Sequence, residues 1–424
     1  MIKKVRRQLN TDNKEIEYIA LEDIECGDLV VIEENMYKFK KENMKVPSYI
    51  WSKEGTIEEE ALEQIKNASS LPFVFHHTAL MPDCHVGYGA PIGGILATKG
   101  VIVPNFVGVD IGCGMCAVKT SLTEINTETL KRIMGEIRKQ IPVGFEHQKE
   151  KQDENLMPET DAKLLIVSQE YNAPLKQIGT LGGGNHFIEI QKGSDGHIWI
   201  MIHSGSRNFG LKIAKYYNDL AIELNEKWHS EVPKNWELAF LPIDSAEGKA
   251  YIREMNYAVD FALANRKLMM DRIIDIFDSI KFGVNFEPMI NIAHNYARME
   301  NHFGVNVMVH RKGATLATKD TIGIIPGSQG TKSYIVRGLG NPESFNSCSH
   351  GAGRKMGRKE AERTLNLEEE IKKLDDQGIL HAIRGKGDLD EASGAYKDID
   401  IVMKNQKDLV EVLVELQPLG VIKG

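Results

Sequence analysis

Residues 108–116 read Gly-Val-Asp-Ile-Gly-Cys-Gly-Met-Cys, and they set a carboxylate, Asp110, three residues before a thiol, Cys113. The largely apolar run 101–107 precedes them, which predicts a buried strand leading into a tight turn. The glycines at 108, 112 and 114 allow positive φ angles and a close approach of the backbone to a ligand. Asp110 and Cys113 can therefore converge on one ion.

Composition makes the chain an ordinary globular protein. It has 424 residues, of which 42% are hydrophobic and 26% charged, enough to bury one large core or two. The formal net charge of −8 excludes a protein that is basic all over, so any contact with nucleic acid must come from a local basic patch.

The cysteines and the N-terminus bear on location. Five cysteines in this length are sparse and odd in number, so no disulfide framework is expected. The basic N-terminal residues are not followed by an apolar signal region, and no run of about eighteen apolar residues is found. We expect a cytoplasmic protein without a membrane span.

Helical and strand patterns are mixed along the chain without βαβ regularity. This favours an α+β fold, with mixed β-sheets and flanking helices in a single domain over residues 1–424. The long helical patterns are at 207–228 and 246–280, and a charged helix is expected at about 357–374. Thr56–Glu59 has the spacing of a capping box that opens a helix. The candidate chemical residues lie within 81–424, and the role of 1–70 is less certain.

Four of the thirteen histidines stand at glycine turns or at the ends of apolar strands: His186, His203, His294 and His350. A single buried histidine is more often a hydrogen-bonded core residue than a ligand. Four in such settings, together with Asp110 and Cys113, indicate a site that could hold two metal ions bridged by a thiolate. The other histidines, including His85, lack such settings, and we expect them to have structural roles. Cys113–Cys116 has no partner pair for a structural zinc site, so Cys116 is interpreted as a small buried hydrophobe.

Two further segments suggest phosphate binding. Residues 324–331, Ile-Ile-Pro-Gly-Ser-Gln-Gly-Thr, predict a strand and a Gly/Ser turn whose N–H groups could bind phosphate, although a plain turn is the commoner outcome. The stretch 348–359 is locally basic. Arg354 and Arg358 would share a helix face if a helix began near Gly353, and a solvated face is the alternative.

Taken together, eight segments resemble the RtcB family of GTP-dependent RNA ligases, in the family's order. They are MPDCHVGYGAPIGG (81–94), GVDIGCGM (108–115), GGGNHFIE (182–189), HSGSR (203–207), AHNYA (293–297), PGSQG (326–330), HGAGR (350–354) and VIKG (421–424). Eight motifs in order are far more specific than any one of them.

The resemblance implies a mechanism. His350 matches the family's nucleophile, which attacks the α-phosphate of GTP, releases pyrophosphate and forms a histidine–GMP intermediate. GMP then passes to an RNA 3′-phosphate, and a 5′-hydroxyl attacks the activated end and expels GMP. A 2′,3′-cyclic phosphate would first be hydrolysed. The implied role is tRNA splicing or RNA repair, and the need for an activating protein partner is left open.

The resemblance also assigns ligands to two Mn²⁺ ions. Asp110, Cys113 and His186 would hold one ion, and Cys113, His203 and His294 the other. Thiolate and imidazole ligands by themselves favour zinc over manganese, so manganese is implied by the family alone.

Contacts to GTP carry over to a larger set: Asn185, His186, Phe187, Ile188, Glu189, His294, Asn295, Pro326, Gly327, Ser328, Gln329, Ser333, His350, Gly351, Ala352, Gly353 and Lys423. The Glu189 carboxylate could accept hydrogen bonds from the N1–H and N2–H₂ edge of guanine. Arg207, Arg354 and Arg358 are the candidates for RNA phosphates. Gln329 stands where methionine is expected in the family, which bears on substrate preference.

Two other functions were weighed against ligation. A dinuclear metal-dependent phosphoesterase could use the same ligands to activate water, but it needs no nucleophilic His350. A non-catalytic RNA-binding protein would be expected to lack a metal ligand, and every expected ligand is present. Ligation is therefore preferred. The physiological RNA, the oligomeric state and activity on DNA 3′-phosphates stay open.

Overall fold

The computed structural model of the protein describes residues 35–159 and 163–424, together with the backbone of three strands nearer the N-terminus. Helices and strands are mixed throughout this part of the chain, which confirms the predicted α+β class.

The strands, in chain order, are β1 (Lys4–Leu9), β2 (Ile16–Leu21), β3 (Leu29–Ile32), β4 (Tyr37–Lys40), β5 (Ser48–Ile50), β6 (Val74–His85), β7 (Ile92–Thr98), β8 (Val101–Ile102), β9 (Gly114–Lys119), β10 (Phe187–Gly193), β11 (Ile198–Ser204), β12 (Leu241–Pro242), β13 (Ile290–Ala293), β14 (Asn295–His302), β15 (Val305–Lys312), β16 (Ala314–Leu316), β17 (Ile322–Ile325), β18 (Ser333–Gly338), β19 (Ser347–Ser349) and β20 (Val410–Lys423).

The α-helices are α1 (Glu59–Ser69), α2 (Thr127–Gln140), α3 (Leu165–Glu170), α4 (Pro174–Gln177), α5 (Arg207–Lys227), α6 (Ala246–Ile280), α7 (Arg358–Thr364), α8 (Leu367–Asp375) and α9 (Ile399–Lys404). Short 3₁₀ helices are found at Pro104–Phe106, Glu154–Leu156, Lys234–Trp236, Pro342–Ser344, Lys386–Glu391 and Ser393–Ala395.

Two large sheets organise these elements. One has nine strands in the order β14-β15-β7-β6-β5-β4-β3-β1-β2, and the other has seven in the order β13-β9-β11-β10-β20-β18-β17. Neighbouring strands of the seven-stranded sheet are antiparallel wherever their register is described. The chain passes directly from one sheet to the other at His294, the single residue between β13 of the seven-stranded sheet and β14 of the nine-stranded sheet.

Helices α2 and α6 cover one face of the seven-stranded sheet. The apolar residues of α2 that recur every three or four positions, such as Ile133 and Ile137, are buried. They pack with Ile273 of α6 and with Ile200 and Ile202 of β11 in one hydrophobic cluster. The helix face therefore fixes the height and orientation of the central strands.

The register of four neighbouring strands decides where the candidate ligands lie. Phe187 pairs with His203, and Ser204 pairs with Gly114, which itself pairs with Ala293. Cys113 and His186 each immediately precede a strand, β9 and β10, and His294 immediately follows β13. His203 lies in β11, opposite Phe187 of β10. Antiparallel pairing thus gathers four distant chain positions at one edge of the sheet.

Gly114 makes this pairing possible, because a Cβ atom there would lie 1.9 Å from the carbonyl oxygen of Ile292. A side chain at position 114 would push β13 away from β9 and separate His294 from Cys113.

Three local predictions were wrong. Helix α1 begins at Glu59, and its N-cap, Glu58, makes no side-chain capping bond, while the Thr56 hydroxyl donates to the Lys53 carbonyl. The charged helix expected at 357–374 is two helices, because Leu365 is extended and the Asn366 side chain caps α8 anew. Arg354 precedes α7, so the shared helix face for Arg354 and Arg358 was also wrong.

We expect Ile200→Ala to lower the free energy of unfolding by about 2–5 kcal/mol, because it leaves a cavity in the central strand of a close-packed cluster. Ile401→Ala is the matched control, since that isoleucine side chain is 56% exposed. Denaturant unfolding followed by circular dichroism measures both. Equal midpoints for the two variants would contradict the assigned role of this core.

Candidate active site

A cavity of about 550 Å³ opens where the two sheets meet. It collects most of the residues that the sequence proposed, from segments more than three hundred positions apart. The proposed residues on its wall are Asp110, Cys113, Asn185, Phe187, Glu189, His203, His294, Asn295, Pro326, Gly327, Ser328, Gln329, His350, Gly351, Ala352, Gly353, Arg354, Arg358 and Lys423.

Some proposed residues are not on this wall. Ile188 packs into the hydrophobic cluster beneath the sheet, because neighbouring residues of a strand face opposite sides. Ser333 lies behind the loop that follows β17, where its hydroxyl accepts from the Gly327 N–H at 3.1 Å. His186 belongs to the ligand cluster described next.

Five side chains at the end of the cavity form two overlapping ligand sets. Asp110, Cys113 and His186 form one, and Cys113, His203 and His294 form the other, with the ligand atoms of each set within 4.8 Å of one another. The Cys113 Sγ atom is common to both, at 3.4 Å from His186 Nε2 and 3.3 Å from His203 Nε2. These are the same two sets that the family resemblance implied.

The surrounding backbone orients two of the imidazoles. Nδ1 of His186 lies 3.0 Å from the Leu181 carbonyl oxygen, and Nδ1 of His203 lies 3.0 Å from the Asn185 carbonyl oxygen. A carbonyl only accepts, so each Nδ1 carries the proton and each Nε2 lone pair faces Cys113. The buried Nδ1 of His294 has no protein partner among the described residues. Such an unpaired nitrogen fits a ligand role.

Burial shapes the charge states of these groups. It lowers the pKa of His203 and of His294 well below the usual histidine value, so both rings are neutral, as metal ligands must be. Burial and the nearby Asp110 carboxylate raise the pKa of the Cys113 thiol well above its usual value. A thiolate at this position therefore requires positive charge close by.

His350 stands beside this cluster, with its ring centroid 4.9 Å from that of His294. Its Nδ1 lies 2.6 Å from Oδ2 of Asp83, a fully buried carboxylate at the end of β6. The same oxygen accepts from the backbone N–H groups of His350 and Gly351 at 3.0 and 3.2 Å. Burial raises the pKa of Asp83, but the charge and hydrogen bond of His350 outweigh it, and the pKa falls below the usual value. An ionised Asp83 holds the Nδ1–H of His350 and leaves Nε2 as the free nitrogen.

The loop after β17 is closed by its own hydrogen bonds. The Gly327 N–H donates to the Ser333 hydroxyl, and the Ser328 N–H donates to the Thr331 hydroxyl at 2.7 Å. Gln329 donates from its side chain to the Glu391 carbonyl at 2.9 Å. The backbone donors at 327 and 328 are thus used within the turn, which favours the plain-turn alternative for these two N–H groups.

The three candidate arginines differ in availability. Arg207 donates to the Thr180 hydroxyl and the Gly144 carbonyl, both at 3.0 Å, and so braces the glycine turn before His186. Arg354 and Arg358 both contact Glu391, at 3.1 and 2.8 Å. The Arg358 side chain is 50% exposed and that of Arg354 only 12%, so Arg358 is the one of this pair that an external phosphate can reach.

Sequence reasoning missed several residues of the site. Asp83 was inside a quoted motif, MPDCH, at the end of an apolar strand, and that position was a usable signal. Lys312 also lines the cavity, where burial lowers its pKa to about 7 while its Nζ donates to the carbonyls of Tyr88 and Asn105. His85, given a structural role from sequence, lies on the cavity wall.

Among the described residues, no helix is both long enough and apolar enough to cross a membrane.

Comparison with known proteins gives a consistent result. The chain matches the family model described as "tRNA-splicing ligase RtcB" over residues 64–173 and 159–424. It is 40% identical to the RNA-splicing ligase RtcB of Escherichia coli K12, over 89% of this chain and 97% of that protein. It is 32% identical to the tRNA-splicing ligase RtcB of Methanococcus maripaludis, over 91% of this chain and 96% of that protein.

The raised pKa of Glu189 predicts that the stability of the protein depends on pH. Burial raises its pKa to about 8, although Gln191 donates to it at 2.6 Å. A raised carboxyl pKa stabilises the fold below the unfolded-state value of 4.5, and this contribution is lost as the pH rises through about 8. We expect the melting temperature of Glu189→Gln to fall less than that of wild type between about pH 6 and pH 9. Glu150→Gln, at an exposed position, is the control, and identical profiles for wild type and Glu189→Gln would refute the assignment.

Proposed function

Because the chain belongs to the RtcB family of RNA-splicing ligases, we propose that it joins RNA 3′-phosphate or 2′,3′-cyclic phosphate ends to 5′-hydroxyl ends. The proposed cofactors are GTP and two Mn²⁺ ions, and the proposed role is tRNA splicing or RNA repair. The observation that carries the proposal is the pairing of His350 with buried Asp83 beside two ligand sets that share Cys113.

His350 is the proposed nucleophile. With Nδ1–H held by Asp83, the Nε2 lone pair attacks the α-phosphorus of GTP while the bond to the β-phosphate oxygen breaks and pyrophosphate leaves. The imidazole becomes positively charged as the N–P bond forms. The Asp83 carboxylate, 2.6 Å from Nδ1, stabilises that charge.

The following steps transfer GMP and seal the RNA. An oxygen of the RNA 3′-phosphate attacks the phosphorus of histidine–GMP, and the bond to Nε2 breaks, which restores the free histidine. The 5′-hydroxyl oxygen of the second RNA end then attacks the activated 3′-phosphate, GMP departs and the hydroxyl proton passes to solvent. The covalent intermediate thus supplies the RNA 3′-phosphate with GMP as a leaving group, which the unmodified phosphate lacks.

The ligand atoms present fit two divalent cations. The set of Cys113, His203 and His294 offers a thiol and two neutral imidazoles, one of which has an unpaired Nδ1, and the Asp110 carboxylate of the other set lines the cavity. Gly205 makes room for that carboxylate, since a Cβ atom there would lie 2.3 Å from Asp110 Oδ1. Ions bound here would neutralise phosphate charge and polarise the transferring phosphoryl group.

Guanine recognition is proposed for the buried end of the cavity. Glu189 is fully buried there and lies in the electrostatic field of the Lys423 ammonium group. In its ionised form this side chain would accept two hydrogen bonds from the N1–H and N2–H₂ edge of guanine, which adenine does not offer in the same pattern. Those two donors would favour the carboxylate over the protonated form that the raised pKa of Glu189 otherwise favours near neutral pH. The Lys423 Nζ atom also lies 5.8 Å from the centre of the Phe187 ring, which supports one compact base-binding region.

Contacts with the RNA backbone are proposed for the cavity rim. Arg358 offers a half-exposed guanidinium, and Arg354 is held behind it by Glu391 and by the Asp390 carbonyl at 2.6 Å. The carboxylate of Glu391 pairs with both arginines, so an RNA phosphate would have to compete with it for the exposed Arg358 guanidinium. We also propose a cytoplasmic location, because the four described cysteines are all unpaired, as is usual where thiols stay reduced.

The alternative function, a dinuclear phosphoesterase, would activate water on its ions and would use the Asp83-oriented His350 as a general acid or base and not as a nucleophile. The two functions differ in one observable, a covalent guanylate on the protein.

His350→Ala is expected to abolish that guanylate. The measurement is incubation of wild type and variant with Mn²⁺ and α-labelled GTP, followed by a denaturing gel, and the label should be acid-labile and base-stable as a phosphoramidate is. His197→Ala is the control, because that ring lies outside the cavity and bonds the Thr120 carbonyl. Label on the His350 variant, or ligation by it at the wild-type rate, would contradict the mechanism.

Cys113→Ala is expected to lose both ions and all ligation, because its Sγ atom belongs to both ligand sets. Cys116→Ala is the matched control: it removes an equally buried thiol from the same strand region, one that packs in the hydrophobic cluster. Metal content by mass spectrometry checks the first expectation and RNA joining the second. A Cys113 variant that still holds two ions would contradict the proposal that the Cys113 sulfur bridges them.

A further inference from the structure

Arg266, near the middle of α6, is one of the largest side chains in the described part of the chain that solvent does not reach at all. Its Nη1 donates to the Gly112 carbonyl at 3.0 Å and to the Ser204 carbonyl at 2.8 Å. Its Nε donates to the Asn291 side-chain oxygen at 2.8 Å. One guanidinium therefore contacts three separate segments of the chain.

Those three segments are the ones that carry candidate metal ligands. Gly112 precedes Cys113, Ser204 follows His203, and Asn291 lies in β13, three residues before His294. The Asn291 amide in turn donates to the Leu263 carbonyl at 3.0 Å, which ties β13 back to α6. The contacts of Arg266 thus converge on the ligand set Cys113, His203 and His294.

Ion pairing does not account for Arg266. Within residues 35–159 and 163–424 it forms no salt bridge with a carboxylate, and its Nη2 has no hydrogen-bond partner. Arg311, which is just as buried, differs in that Glu300 binds it through both carboxylate oxygens. Burying an arginine without a carboxylate partner lowers the stability of the fold. The contribution of Arg266 that the structure shows is a different one: it aligns the three oxygen acceptors that it binds.

We propose that Arg266 is a positioning residue for the two-ion centre, which holds the Cys113, His203 and His294 segments at the mutual distances that coordination requires. The inference rests on the proposed function, since it takes the ligand sets as metal sites. Arg266 itself is not a ligand and would act through the residues that it contacts. Its position gives α6 a role in the site, because this helix packs against β9, β11 and β13.

The test is a titration with Co²⁺ as an optical probe, in the absence of GTP and RNA. Arg266→Lys keeps the charge but cannot reach all three acceptors, so we expect the Co²⁺ Kd to rise by about 10- to 100-fold, with a changed visible and thiolate charge-transfer spectrum. Arg266→Met, which also removes the charge, should show the same spectral change. Arg311→Lys is the matched control, with the wild-type Co²⁺ Kd even if its melting temperature falls.

Asn291→Ala keeps the inference testable if the Arg266 variants do not fold. It removes one of the three contacts at a partly exposed position, so the Co²⁺ Kd should rise by a smaller factor in the same direction. An unchanged Kd and spectrum in folded Arg266→Lys, or in Asn291→Ala where the former does not fold, would overturn the inference. Wild type that binds no Co²⁺ would overturn both this inference and the proposed cofactors. Wild type that binds two Co²⁺ ions but forms no guanylate would overturn the ligase mechanism alone.

Discussion

The Cys113 Sγ atom lies within 3.4 Å of two imidazole nitrogens, one from His186 just before β10 and one from His203 in β11, and the rest of the site depends on this convergence. A thiol can be shared by two ligand sets only if the strands that carry the histidines keep one register. The antiparallel pairs around Gly114 and His203 supply that register. The hydrophobic cluster between α2, α6 and the sheet then makes a slip costly, because it would turn buried isoleucines toward the opposite face.

Burial gives the site its chemistry as well as its shape. Carbonyl groups fix the tautomers of His186 and His203, and the low pKa of His203 keeps its ring neutral. The carboxylate of Asp83 receives three hydrogen bonds on one oxygen, and all three come from the segment that begins with His350. In a buried setting such contacts are stronger than in water, and they leave the side chains little freedom.

The second sheet connects His350, the proposed nucleophile, to the candidate metal ligands. His294 lies between the last residue of β13 in one sheet and the first residue of β14 in the other, and β14 is followed along the chain by β15 and β16. Strand β16 pairs with β19, where Ala314 lies opposite Ser349, the residue before His350. The Ala314 N–H also donates to the His294 carbonyl at 3.2 Å, and the rings of His294 and His350 lie 4.9 Å apart. His350 and the candidate ligand sets are therefore parts of one strand network, and a displacement of either sheet would separate them.

The sequence was sufficient to select the candidate residues, since Asp110, Cys113 and the four histidines stand at glycine turns and strand ends that local patterns reveal. It was also sufficient to predict the mixed fold class and the extents of α5 and α6, because helix periodicity is a local property. Only the tertiary structure decided the partners. The carboxylate behind His350, the arginine behind the ligand strands and the buried Lys312 are all contacts between segments far apart in the chain. The errors concern local contacts: the Thr56 hydroxyl donates to the Lys53 carbonyl instead of capping a helix, and Arg354 lies before α7, which begins only at Arg358. Residue type and spacing specify what a side chain can do, whereas strand register and packing specify what it meets.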